Sequence, residues 1–68
     1  MTYKKGVEMI DCIFAVTAKG YENDAMKLAT YRIAKLYENG EIGTRTYDRL
    51  SNYIFDKTAL EKITRKTA

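Results

Sequence analysis

NDAMKLATYRIAKLYENGEIGTRTYDRLSNYI, residues 23–54, holds two apolar-periodic segments separated by two glycines, and its reading decides the fold. Met26, Ala29, Ile33, Leu36 and Tyr37 recur at steps of three and four, the spacing of one face of an α-helix. Asn23 and Asp24 are N-cap residue types. Asn39-Gly40 offers an ending in the left-handed conformation that glycine adopts without a Cβ clash. After Gly43, Thr44 is a residue type that caps a new helix, and Tyr47, Leu50 and Ile54 line one face of it. A link of about four residues usually joins antiparallel helices. The stretch therefore predicts a helical hairpin.

Toward the N-terminus, Val7 to Lys19 is apolar on most sides, with Glu8, Asp11 and Ala15 as one wet strip, and Gly20 stops it. The β-branched Ile10, Ile13, Val16 and Thr17 also allow a short strand, which periodicity alone does not exclude. Helix is preferred because no second strand exists to pair with it. Toward the C-terminus, Leu60 and Ile63 leave the stripe of Tyr47, Leu50 and Ile54, which predicts a break near Asp56. Thr58-Ala59-Leu60-Glu61 has the form of a capping box, so a short C-terminal helix is expected from Ala59, its dipole complemented by Lys62, Arg65 and Lys66. The expected fold is all-α: one domain over residues 1–68, a compact bundle of three helices plus that short fourth, with helices two and three as the hairpin.

Leu36-Tyr37-Glu38-Asn39-Gly40-Glu41-Ile42-Gly43-Thr44, followed by Tyr47 and Leu50, resembles the short helical hairpins called SHOCT domains. Those carry a leucine-containing helix, a Gly-x-Ile-Thr turn and a second short helix. The likeness covers under a third of the chain and departs from the family by the inserted Gly43.

A domain of 68 residues buries only about 60% of the surface that its unfolded chain exposes. Its stability should be modest, and disulfides, metals or self-association commonly compensate. With one cysteine and no histidine, an intrachain disulfide is excluded and a zinc site lacks its usual ligands, which leaves self-association. No metal and no cofactor is expected. The longest apolar stretch, near Ile13 to Ala18, is too short to span a bilayer, and Glu8 and Asp11 interrupt any signal-peptide core. A cytoplasmic location away from membranes follows as the expectation.

Catalysis finds little support. Ser51 is the only serine, Cys12 the only cysteine, and no histidine can activate either. Among Ile10, Ile13 and Phe14, Cys12 is expected to be a buried, quiet hydrophobe. The nine acids are dispersed at helix starts and on wet faces, and Gly40-Glu41-Ile42-Gly43 matches neither a P-loop nor a dinucleotide fingerprint. The chain is expected to be non-enzymatic.

Two surfaces could bind. Leu28, Tyr31 and Lys35 fall on the side of helix two away from Met26, Ile33 and Leu36, where either a partner or helix one would cover them. Six tyrosines suit packing boundaries and interfaces alike. On helix three, Arg45, Arg49 and Asn52 share a face opposite the apolar one, with side-chain types suited to guanine, adenine and phosphate. Residues 1–43 carry six basic and six acidic residues, so the net charge of +3 lies wholly in residues 44–68. Lys62, Arg65 and Lys66 would there contact phosphate. A helix-turn-helix register fails, because Gly43, Thr46 and Arg49 fall where apolar anchors belong.

The leading expectation is a small regulatory or adaptor protein that binds another protein, itself included, through Leu28, Tyr31 and Lys35. The alternative is a small DNA-binding regulator using Arg45, Arg49, Asn52, Lys62, Arg65 and Lys66. Either role would suit a bacterial or phage accessory protein.

Overall fold

The computed structural model describes the backbone of residues 1–67 and the side chains of residues 1–60. It contains three helices, α1 (Tyr3–Ala15), α2 (Glu22–Glu38) and α3 (Thr44–Thr67), and among the described residues no strand. Ile10 and Phe14 from α1, Ala25, Ala29 and Ile33 from α2, Ile42 from the turn, and Leu50 and Ile54 from α3 form the core. Tyr3 meets Arg49, Gly6 meets Leu50 and Asp11 meets Tyr53, so α1 and α3 run parallel and pack directly on one another, with α2 antiparallel to both.

The α2–α3 hairpin forms as its residues dictate. Gly40, with φ of 76°, is the left-handed residue after α2. Its N–H donates to the Tyr37 carbonyl at 3.1 Å and that of Glu41 to Leu36 at 2.9 Å, the two bonds of a Schellman ending. The Tyr37 hydroxyl lies 3.1 Å from Thr44 Oγ1, and its ring packs at 4.9 Å on Tyr47. Thr44 therefore clasps the turn from inside α3, and α2 begins at Glu22, one residue ahead of Asn23 and Asp24. Neither predicted N-cap holds that role, although Glu22 and Asp24 complement the α2 dipole.

Four expectations are corrected. The first helix spans Tyr3–Ala15 in place of residues 7–19, because Thr2 caps it by accepting from the Lys5 N–H at 3.2 Å. Gly6 is a buried residue of the helix interior. Cys12 is exposed: at about 100° per residue it lies about 200° around the helix from Ile10, so its apolar sequence neighbours point elsewhere. Asp11, assigned to the wet strip, is half-buried and receives a 2.5 Å hydrogen bond from the Tyr53 hydroxyl, with Lys57 Nζ at 3.3 Å. Finally, α3 does not break at Asp56. Thr58 is buried, and its hydroxyl donates to the Ile54 carbonyl at 2.8 Å, so the group read as a cap stays inside one continuous helix.

A thiol reagent should accordingly label Cys12 in the native protein about as fast as after denaturation. Strong native-state protection would mean that α1 is rotated from this packing.

Candidate functional site

Opposite its core-facing residues, α2 presents Leu28 and Tyr31, which are 44% and 59% exposed. Lys35 Nζ sits 5.5 Å from the centroid of the Tyr31 ring and 3.6 Å from a Glu38 carboxylate oxygen. The three predicted residues thus lie together in solvent. Helix α1 does not cover them, because the α2 residues turned inward are Ala25, Ala29 and Ile33. Of the six tyrosines, Tyr3, Tyr37, Tyr47 and Tyr53 are engaged within the fold; Tyr21 and Tyr31 stand out into water.

The basic face of α3 is less free than its spacing implies. Arg45, Arg49 and Asn52 are all exposed, but the Arg49 guanidinium lies 4.0 Å above the Tyr3 ring, a cation–π contact that ties it to α1. Asp48 and Asp56 are exposed on the same helix. Lys62, Arg65 and Lys66 lie outside the residues whose side chains are described.

Phe55 has no counterpart among the predicted site residues. It is 70% exposed and borders a groove of about 230 Å³ with Asn23, Met26, Thr58 and Ala59. A signal was present in the sequence: Phe55 lies about 140° from Leu50 on α3, so so large an apolar residue sits off the core stripe.

The polar cluster between α1 and α3 is self-contained. Asp11 accepts from Tyr53 and pairs with Lys57, whose ammonium also lies 5.7 Å from the Phe14 ring centroid. The hydrogen bond to Asp11, followed by burial, pushes the Tyr53 phenol up to about 12 from its ordinary 10.0. Because its proton is held more tightly in the folded state, this contribution to stability is complete below pH 10 and lost as pH rises toward 12. A tyrosinate absorbance titration should show one phenol ionising near 12, and Tyr53→Phe should remove that step. Six phenols all titrating near 10 would contradict the bond.

Among the described residues no three His, Cys, Asp or Glu side chains come together, and no helix is long and apolar enough to cross a membrane. No family model, curated protein or solved structure matches the chain, so the SHOCT likeness stays a likeness of one turn.

Proposed function

We propose that this protein is a small non-enzymatic regulator or adaptor that acts by protein–protein binding, with the outer side of α2 as its contact surface. One observation carries the reading: Leu28 and Tyr31 are both exposed on a helix whose other side already fills the core. An apolar residue beside a tyrosine, rimmed by charge, is the composition of an interface centre. Tyrosine and leucine lose less side-chain entropy on contact than long charged residues do. Self-association is part of the reading, since a core with four fully buried large side chains among the described residues gains from a partner. A cytoplasmic accessory protein of bacterial or phage type fits this role.

Site-specific photo-crosslinking from position 31, with position 52 on α3 as control, tests it. Protein adducts from 31 and none from 52 are expected. With the crosslinker kept at position 31, Leu28→Asp should abolish the adducts while thermal stability changes by under about 0.5 kcal/mol, as for other surface substitutions. Adducts that survive this substitution would remove α2 as the contact surface.

A second reading, a DNA-binding regulator, draws on Arg45 and Asn52 lying exposed on one helix. Residues 1–60 carry nine basic and eight acidic residues, so its electrostatics would depend on residues 61–68. Anisotropy with random duplex DNA at rising salt separates the readings. Phosphate contacts impose a steep fall of affinity with salt, and no binding at low salt ends the DNA reading.

A further inference from the structure

The exposed side of α2 continues beyond Leu28 and Tyr31 in both directions. Tyr21, Asp24, Leu28, Tyr31, Lys35 and Glu38 follow one another at steps of three, four, three, four and three, and all six are exposed. Alternating steps of three and four make the seam along which two helices pack side by side. Here the seam faces away from the bundle and its centre is Leu28 and Tyr31.

We infer that the partner on this surface is a second copy of the same chain, its α2 antiparallel to the first about a two-fold axis midway between Leu28 and Tyr31. The inference rests on the reading of α2 as the contact surface and adds the occupant and the register. The charges choose both. In the antiparallel register Leu28 faces the second copy's Tyr31, Asp24 faces its Lys35, and Tyr21 faces its Glu38. Each contact occurs twice by symmetry. The phenol of Tyr21 can donate to the facing carboxylate. A parallel register would instead oppose Asp24 to Asp24 and Lys35 to Lys35, and like charges across an interface repel. The Lys35–Glu38 pair within one chain does not oppose the arrangement. Its side chains are 53% and 65% exposed at 3.6 Å, a surface pair of little strength, so Lys35 is free to turn to the second copy's Asp24. One helix of 17 residues per copy gives an interface at the small, transient end of the range, so the dimer should dissociate on dilution.

Sedimentation of the full chain over low to high micromolar concentration tests this. The parent should show a concentration-dependent dimer. Asp24→Lys alone and Lys35→Asp alone should each weaken it by on the order of tenfold, since every facing pair becomes like-charged. An equimolar mixture of these two variants should recover the dimer, because each chain then faces the opposite charge. The doubly exchanged chain, Asp24→Lys with Lys35→Asp, should recover it too, and added salt should shrink both the losses and the recoveries. If Leu28→Asp dissociates the dimer but mixture and double exchange recover nothing, the register is overturned while the α2 surface stands. A dimer unaffected by Leu28→Asp overturns register and surface together. A parent that stays monomeric at high micromolar concentration overturns the second copy as occupant, and the crosslinking from position 31 then decides whether another protein binds there.

Discussion

Ile33→Ala is expected to remove most of the stability of this fold. Ile33 is fully buried in the middle of α2, in the core shared with the two other helices, and among the described residues only Ile10, Leu50 and Ile54 match it as large side chains without exposure. Truncating such a residue costs about 2–5 kcal/mol, combining the lost transfer energy with the cavity left behind. At about 0.05–0.15 kcal/mol per residue, a chain of 68 residues has in total only about 3–10 kcal/mol to lose. In thermal unfolding followed by circular dichroism, Tm should fall by on the order of 10–30 °C. Leu28→Ala, on the exposed side of the same helix, should change it little. A loss under about 1 kcal/mol at Ile33 would mean that the core closes around the missing atoms, which a well-packed interior resists.

Ile33 also shows what was legible beforehand and why. Its place followed from helical periodicity, and the turn after α2 followed from Asn39-Gly40, because both are local consequences of backbone geometry. The side of α2 that carries Leu28, Tyr31 and Lys35 was legible for the same reason, one angle per residue, but whether α1 covers it was not, because that depends on how the helices pack. What escaped depends on residues distant in sequence. The contact of Asp11 with Tyr53 and Lys57, and that of Arg49 with Tyr3, arise only once α1 lies alongside α3. Cys12 was misplaced for a different reason, since sequence neighbours were weighed in place of helical angle. Phe55 escaped because the α3 reading followed only the stripe that became core. The expected break at Asp56 confused the end of a hydrophobic register with the end of a helix. Backbone hydrogen bonding carries α3 on, and Thr58 adds its hydroxyl to that continuity.

Gly6 is where the long-range part of the code is sharpest, and substitution there should have the other large effect. By helix propensity alone, Gly6→Ala inside α1 would gain up to about 1 kcal/mol. The surroundings reverse the sign. A Cβ at this position would stand 2.6 Å and 2.8 Å from the two Leu50 methyl carbons and 3.3 Å from its Cγ. Leu50 is itself fully buried, so its side chain has little room to turn aside. Relieving the overlap needs an off-rotamer Leu50 or a shift of α1 away from α3, at about 1–3 kcal/mol for an overpacked core. Gly6→Ala should therefore be a net loss, and Gly6→Val, with two further methyl groups and a stiffer side chain, should lose about 3 kcal/mol and leave the domain partly unfolded at ambient temperature. The decisive measurement is a double-mutant cycle by urea unfolding. Leu50→Ala alone should cost about 2–5 kcal/mol through its cavity. In Gly6→Ala with Leu50→Ala, the new methyl group enters the vacated space, so the pair should be more stable than the sum of the single losses by about 0.5–3 kcal/mol. Strict additivity, or a Gly6→Ala protein that keeps the full propensity gain, would mean that α1 and α3 do not touch at this point. The register that places Tyr3 under Arg49 and Asp11 against Tyr53 would then fail with it.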